Sequence, residues 1–136
     1  MTSSLSPQFA EHLRELRILV VEDQFLLADL AQDMLMDAGA REVVICANAR
    51  DAMTALNGGG RIEAAMIDLN LGDHTGDTIA DTLIAQQVPF IFATGYGTCA
   101  ALADHLQHVP LLSKPYTAEM LVETLGHAIA RARRGI

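Results

Sequence analysis

Four places in this chain put a charged or hydroxylic residue where an apolar run stops. Glu22-Asp23 follows Ile18-Leu19-Val20-Val21, Asp68 follows Ala64-Ala65-Met66-Ile67, Thr94 follows Pro89-Phe90-Ile91-Phe92-Ala93, and Lys114 comes just after Val109 to Leu112. If these ends converge, three carboxylates share one pocket. Two unit charges ~4 Å apart at an effective dielectric of ~20 repel by about 4 kcal/mol, so the pocket needs positive charge. A hard divalent cation with oxygen ligands meets that need, Mg²⁺ above all, with Mn²⁺ able to substitute. Lys114 supplies the rest. Of nine basic residues eight are arginines, and Lys114 is the single lysine. A compact ammonium approaches a lone phosphoryl oxygen where a broad guanidinium fork does not fit.

The elements that must position these residues alternate along the chain. Strand-like runs cover Ile18 to Val21, Val43 to Ile45, Ala64 to Ile67, Pro89 to Ala93 and Val109 to Leu112. Helical spacing follows from Phe25, where Leu27, Leu30, Ala31, Met34 and Ala38 share a face before Gly39, and again over Ala49 to Leu56, closed by Asn57-Gly58. Further helices are predicted near Asp77 to Gln86, more weakly from Thr98 to Gln107, and from Thr117 to Arg133, with a short helical piece near Phe9 to Leu16. Continuous apolar strands alternating with helices predict an α/β fold: a parallel five-stranded sheet between two helical layers. In such sheets ligands bind at the carboxyl ends of the strands, where these residues fall.

Composition narrows the function classes. At 136 residues with 51% apolar and 19% charged residues, the chain fits one folded domain. A net charge of -8, with Arg131, Arg133 and Arg134 the only basic cluster, argues against a nucleic-acid partner. Cys46 and Cys99 lack metal or disulfide spacing, and no apolar run is long enough for a membrane span, so a reduced cytoplasmic setting is expected. His105 and His108 stand at i, i+3 without a third ligand, and Gly58-Gly59-Gly60 lacks the Lys-Ser/Thr of a phosphate loop. Both read as surface features, as does His74.

Over roughly Arg17 to Arg133, the acidic pair Glu22-Asp23, Asp68, Thr94 and Lys114-Pro115, in this order and spacing, resemble the receiver domains of bacterial two-component response regulators. The resemblance implies a flavodoxin-like three-layer fold with five helices and strand order 2-1-3-4-5. It implies a receiver over residues 17–134 behind an extension at 1–16, standing alone without an output module. Asp68 would accept a phosphoryl group from the phosphohistidine of a histidine kinase or histidine phosphotransferase. Asp23, Asp68 and the Asn70 carbonyl would hold Mg²⁺, with Glu22 assisting through water. Lys114 and the Thr94 hydroxyl would take phosphoryl oxygens, and the Lys114–Pro115 peptide would be cis. Such a domain signals to a downstream protein, relays phosphoryl groups or drains them from a kinase, and is not an enzyme with a substrate of its own.

The run Phe92-Ala93-Thr94-Gly95-Tyr96 resembles a subgroup named for its Phe-Ala-Thr-Gly signature. Most receivers carry a switch aromatic three residues before the lysine; Leu111 stands there, and Tyr96 between Gly95 and Gly97 is the candidate stand-in. Gly72 replaces a usual proline, which predicts a more mobile loop after Asp68. Two alternatives compete. A haloacid-dehalogenase-type phosphatase would need an acid where Asn70 stands, and a pseudo-receiver would not need the charge cluster. Asp23 taken alone could merely cap the following helix.

Overall fold

Each apolar run becomes a strand of one parallel sheet, and its neighbours decide how completely the strand is covered. The structure, a computed structural model, describes residues 7–69, 76–95 and 104–134. The chain order is α1 (Pro7–Leu13), β1 (Arg17–Val21), α2 (Phe25–Asp37), β2 (Glu42–Cys46), α3 (Ala49–Asn57), β3 (Ala64–Asp68), α4 (Gly76–Ala85), β4 (Phe90–Thr94), a 3₁₀ turn at Asp104–Leu106, β5 (Leu111–Ser113) and α5 (Ala118–Arg133). The strands lie in the order β2-β1-β3-β4-β5, all parallel, the flavodoxin-like arrangement expected. Every residue of β3 is buried, as are Ile18–Val21 of β1 and Phe90–Ala93 of β4, whereas the edge strands β2 and β5 are covered only in part.

Alternation along the strands splits the core in two. Ile18, Val20, Ala64, Met66, Ile91 and Leu112 pack with α2 and α5 on one side; Leu19, Val21, Ala65, Ile67 and Phe92 pack with α3 and α4 on the other. Helix starts are fixed locally where a side chain takes up an orphan amide. Asn48 accepts from the Asp51 N–H at 2.8 Å to begin α3, and Thr117 accepts from the Met120 N–H at 3.1 Å to begin α5. Gly39, just past α2, takes φ +109°, as a left-handed helix end requires.

Two expectations change. The inward stripe of α2 is Ala28, Ala31, Leu35 and Ala38, not the stripe through Leu27, Leu30 and Met34, and Leu30 is 53% exposed. The helix is apolar on more than one side, so spacing alone does not select the buried face. The fifth strand is only Leu111–Ser113, an edge strand with Leu111 turned outward. As expected, α3 closes at Asn57-Gly58, with Gly58 extended at φ -89°. Most of the helix expected over 98–107 lies outside the described residues, which show only its end as the 3₁₀ turn.

The amino-terminal helix belongs to the core. Leu13 is fully buried, the Phe9 ring lies 4.5 Å from that of His127, and α1 rests on α5 at Gly126. A Cβ at Gly126 would stand 3.0 Å from the Phe9 carbonyl oxygen and 3.2 Å from its Cβ. Gly126→Leu is therefore expected to push α1 off α5 and destabilise the chain by about 2 kcal/mol. Urea unfolding together with loss of hydrogen-exchange protection in α1 checks this; protection unchanged from wild type would show that α1 does not rest on that glycine.

Candidate functional site

β1 and β3 run in register, Val21 beside Ile67, so Glu22 and Asp68 leave the sheet at the same level. By the strand alternation both point to the α2/α5 side, and Lys114, two residues beyond the inward Leu112, points there too. Lys114 Nζ lies 2.8 Å from Glu22 Oε1 and 3.2 Å from Asp68 Oδ2. Glu22 is 5% exposed and Asp68 2%, the two buried charged residues among those described. The second oxygen of Glu22 accepts the Gln24 N–H at 3.1 Å. Asp23 stays exposed, yet one oxygen from each of Glu22, Asp23 and Asp68 lies within 4.8 Å of the others. Asp23 does not cap α2; the capping position belongs to Gln24, whose side chain makes no cap bond. The Lys114 N–H donates to the Thr94 carbonyl at 2.8 Å, which ties the end of β4 to the lysine, and the Lys114–Pro115 peptide is cis.

Burial first, and then the hydrogen bond to the Asp68 carboxyl, push Glu22 up to about 7, against opposing bonds from Lys114 and the Gln24 amide. Burial works against the charge on Lys114 as well, but its bond to Glu22 and the fields of Asp68 and Glu22 outweigh it and raise its pKa. One lysine thus serves two acids that burial disfavours. The donor set fits a hard divalent cation: only carboxylate oxygens, three of them converging, with net negative charge left after Lys114 is counted.

The raised Glu22 has a measurable consequence in the metal-free protein. Its folded pKa lies above the unfolded value, so the native state binds more protons between pH 4.5 and about 7. Stability from this residue is therefore lost as pH rises through that window, on the order of 3 kcal/mol in total. Glu22→Gln removes the titration. Urea titrations at pH 5 and 8 should show wild type losing stability relative to Glu22→Gln; parallel curves would refute the assignment.

A profile of the response regulator receiver domain matches residues 18–126. The chain belongs to that family. The sensor protein TorS of Escherichia coli (strain K12) is 31% identical over 123 residues, covering 87% of this chain and 13% of TorS. The sensory transduction protein LytT of Bacillus cereus is 30% identical over 113 residues, covering 81% of this chain and 46% of LytT. The receiver thus spans less than half the length of these curated relatives. Among solved structures, SdrG from Sphingomonas melonis Fr1 is 31% identical with a TM-score of 0.70, covering 85% of this chain and 96% of SdrG. A receiver domain protein from Clostridium thermocellum, 21% identical, shares the fold with a TM-score of 0.75, covering 89% of this chain and 99% of that one. Receiver domains act in signalling as acceptors of phosphoryl groups from histidine kinases and bind Mg²⁺ in an acidic pocket.

In this receiver the sequence-selected Glu22, Asp23, Asp68 and Lys114 come together, and Thr94 ends β4 beside Ser113. Asn70, Gly72, His74, Tyr96 and Cys99 lie outside the described residues. Among the described residues the one gathering of three metal-ligating side chains is the acidic cluster, so His105 and His108 join no such site; His105 pairs with Asp81 at 2.7 Å. Burial, and then Asp51, raise the Cys46 thiol, which keeps it inert. No helix among the described residues is long and apolar enough to cross a membrane. One neighbour escaped the sequence reading. The half-buried Tyr116 packs on the α2/α5 core within the fields of Lys114, Glu22 and Asp68, and burial raises its pKa. Its position two residues after the lone lysine was the available signal.

Proposed function

We propose that Asp68 is the phosphoryl acceptor of this receiver and that Glu22, Asp23 and Lys114 make its chemistry possible. The observation that carries the reading is the Asp68 carboxylate, 2% exposed at the carboxyl end of β3, with Lys114 Nζ 3.2 Å from Oδ2 and two further carboxylates beside it. An oxygen of Asp68 attacks the phosphorus of a phosphohistidine, the P–N bond breaks as the O–P bond forms, and the imidazole leaves with a proton. Asp23, Asp68 and the Asn70 carbonyl are the residues that would hold Mg²⁺ or Mn²⁺, with Glu22 acting through water. When bound, the cation neutralises charge on the transferring phosphoryl group, whose loose transition state calls mainly for positioning and electrostatics. Lys114 follows one phosphoryl oxygen while remaining anchored near Glu22, and the Thr94 hydroxyl takes another.

The donor is a histidine kinase or histidine phosphotransferase, and the signal passes to a downstream protein or the phosphoryl group is relayed or drained to water. The run Phe92-Ala93-Thr94-Gly95 supports membership of the Phe-Ala-Thr-Gly subgroup, in which stand-alone receivers are common. The outward-facing Leu111, 53% exposed where most receivers carry a switch aromatic, supports Tyr96 as the element that reports phosphorylation.

Acetyl phosphate with Mg²⁺ should add one phosphoryl mass to the intact protein, stable to acid and removed by hydroxylamine. Borohydride reduction should then convert Asp68 to homoserine, which peptide mass spectrometry locates. Homoserine at another aspartate, or phosphate resistant to hydroxylamine, would overturn the proposal.

A further inference from the structure

The opposite end of the sheet carries a groove for which phosphoryl chemistry has no use. Two adjoining cavities, of about 270 and 630 Å³, share Arg61, Gln87, Val88, Pro89 and Ala132 and run together beneath the amino-terminal ends of β3, β4 and β5 and the end of α5. The floor is apolar: Val88 and Val109 are 6% and 5% exposed, and Ala128 is 9%. The rim is cationic and open, with Arg61, Arg131 and Arg133 exposed along it.

Arg17 pairs with Glu42 and Arg41 with Glu63, whereas Arg61 and Arg131, like Arg14, Arg50 and Arg134, form no ion pair among the described residues; Arg61 and Arg131 are the two of these that line the groove, in a chain of net charge -8. Arg133 reaches only His12, at 3.5 Å. Glu63, the acid in the smaller cavity, is already engaged by the Arg17 N–H and by Arg41. Gln87 lines both cavities and is exposed; its φ of +61° is the left-handed cap that ends α4, where the Gln87 and Val88 N–H groups donate to the Ile84 and Leu83 carbonyls.

We propose that this groove docks an acidic, leucine-rich segment of a partner protein. Carboxylates of the segment meet Arg61 and Arg131, apolar side chains settle on Val88, Val109 and Ala128, and the Gln87 amide is available to pair with main-chain groups. Nucleic acid fits less well, because the described lining of the groove offers no exposed Phe, Tyr or Trp for base stacking and the chain as a whole, at net charge -8, repels a phosphate backbone. The groove lies across the sheet from Asp68, so docking does not depend on phosphorylation and the two readings fail separately.

The test uses the full chain and a fluorescein-labelled peptide of alternating aspartate and leucine. Anisotropy should report binding that weakens with salt, and amide shifts should move at Gln87, Val88 and Val109 but not at Glu22 or Asp68. Arg61→Glu with Arg131→Glu should weaken binding at least tenfold, and Arg61→Gln with Arg131→Gln by a smaller factor, with thermal midpoints showing all proteins folded. A peptide with asparagine for every aspartate should not bind. Unchanged affinity in the charge-reversed protein, shifts centred elsewhere, or no binding at all would overturn the proposal. So would a DNA duplex or an anionic vesicle occupying the same residues in place of the peptide.

Discussion

Asp68→Asn should leave a folded protein that takes up no phosphoryl group, with labelling by acetyl phosphate or a kinase reduced at least ~100-fold. An amide oxygen lacks the charge of the carboxylate, and the product that carboxylate would form, an acyl phosphate, is not available to an asparagine. Loss of folding will not explain the result. The substitution removes one of two acids that share a single lysine, leaving Lys114 and Glu22 as a matched pair at 2.8 Å. It should leave the metal-free protein at least as stable as wild type near pH 8, where Glu22 is ionised. Intact mass spectrometry after acetyl phosphate treatment and a urea titration measure the two arms. Stoichiometric labelling of Asp68→Asn would remove Asp68 from the chemistry.

Lys114→Ala should be the most destabilising single change in the site. It strips the cation from two carboxylates that are 5% and 2% exposed, and removing one partner of a buried charge set typically costs about 3–5 kcal/mol. Because Glu22 can take a proton below about pH 7, the penalty should be larger at pH 8 than at pH 5. At pH 8 about 3 kcal/mol corresponds to a midpoint lowered by roughly 10 °C in a chain of this size. Millimolar Mg²⁺ should restore part of it, since the cation supplies the missing charge, while Lys114→Arg should retain more stability than Lys114→Ala. Thermal unfolding at both pH values, with and without Mg²⁺, decides the matter. Equal midpoints for Lys114→Ala and wild type at pH 8 would mean that the lysine does not hold the carboxylates together.

Much of this arrangement was legible beforehand because strands are short and their rule is simple. Period-two alternation, once β1, β3 and β5 are in register, brings Glu22, Asp68 and Lys114 to one side without further information. The inward face of α2 was not legible: Leu26, Leu27, Leu30 and Met36 give the helix apolar residues outside its buried stripe, and only packing against the sheet chooses Ala28 and Leu35. Small residues win there because the helix must approach the strands closely. Nor did the pattern show that Leu111 faces out, since an edge strand has only one covered side. The contact between Phe9 and Gly126 joins residues more than a hundred positions apart, and no local spacing encodes it.

Lys114 gives the molecule a chemical reporter. The chain has one ε-amine, 14% exposed and held in its charged form by Glu22 and Asp68. An ammonium has no lone pair with which to attack an acylating reagent, so the resting protein resists modification at its own functional centre. Any event that loosens the lysine from its two acids changes the rate at which a single mass increment appears. A mass spectrometer and an ordinary amine reagent can thus follow the state of the pocket without an engineered probe.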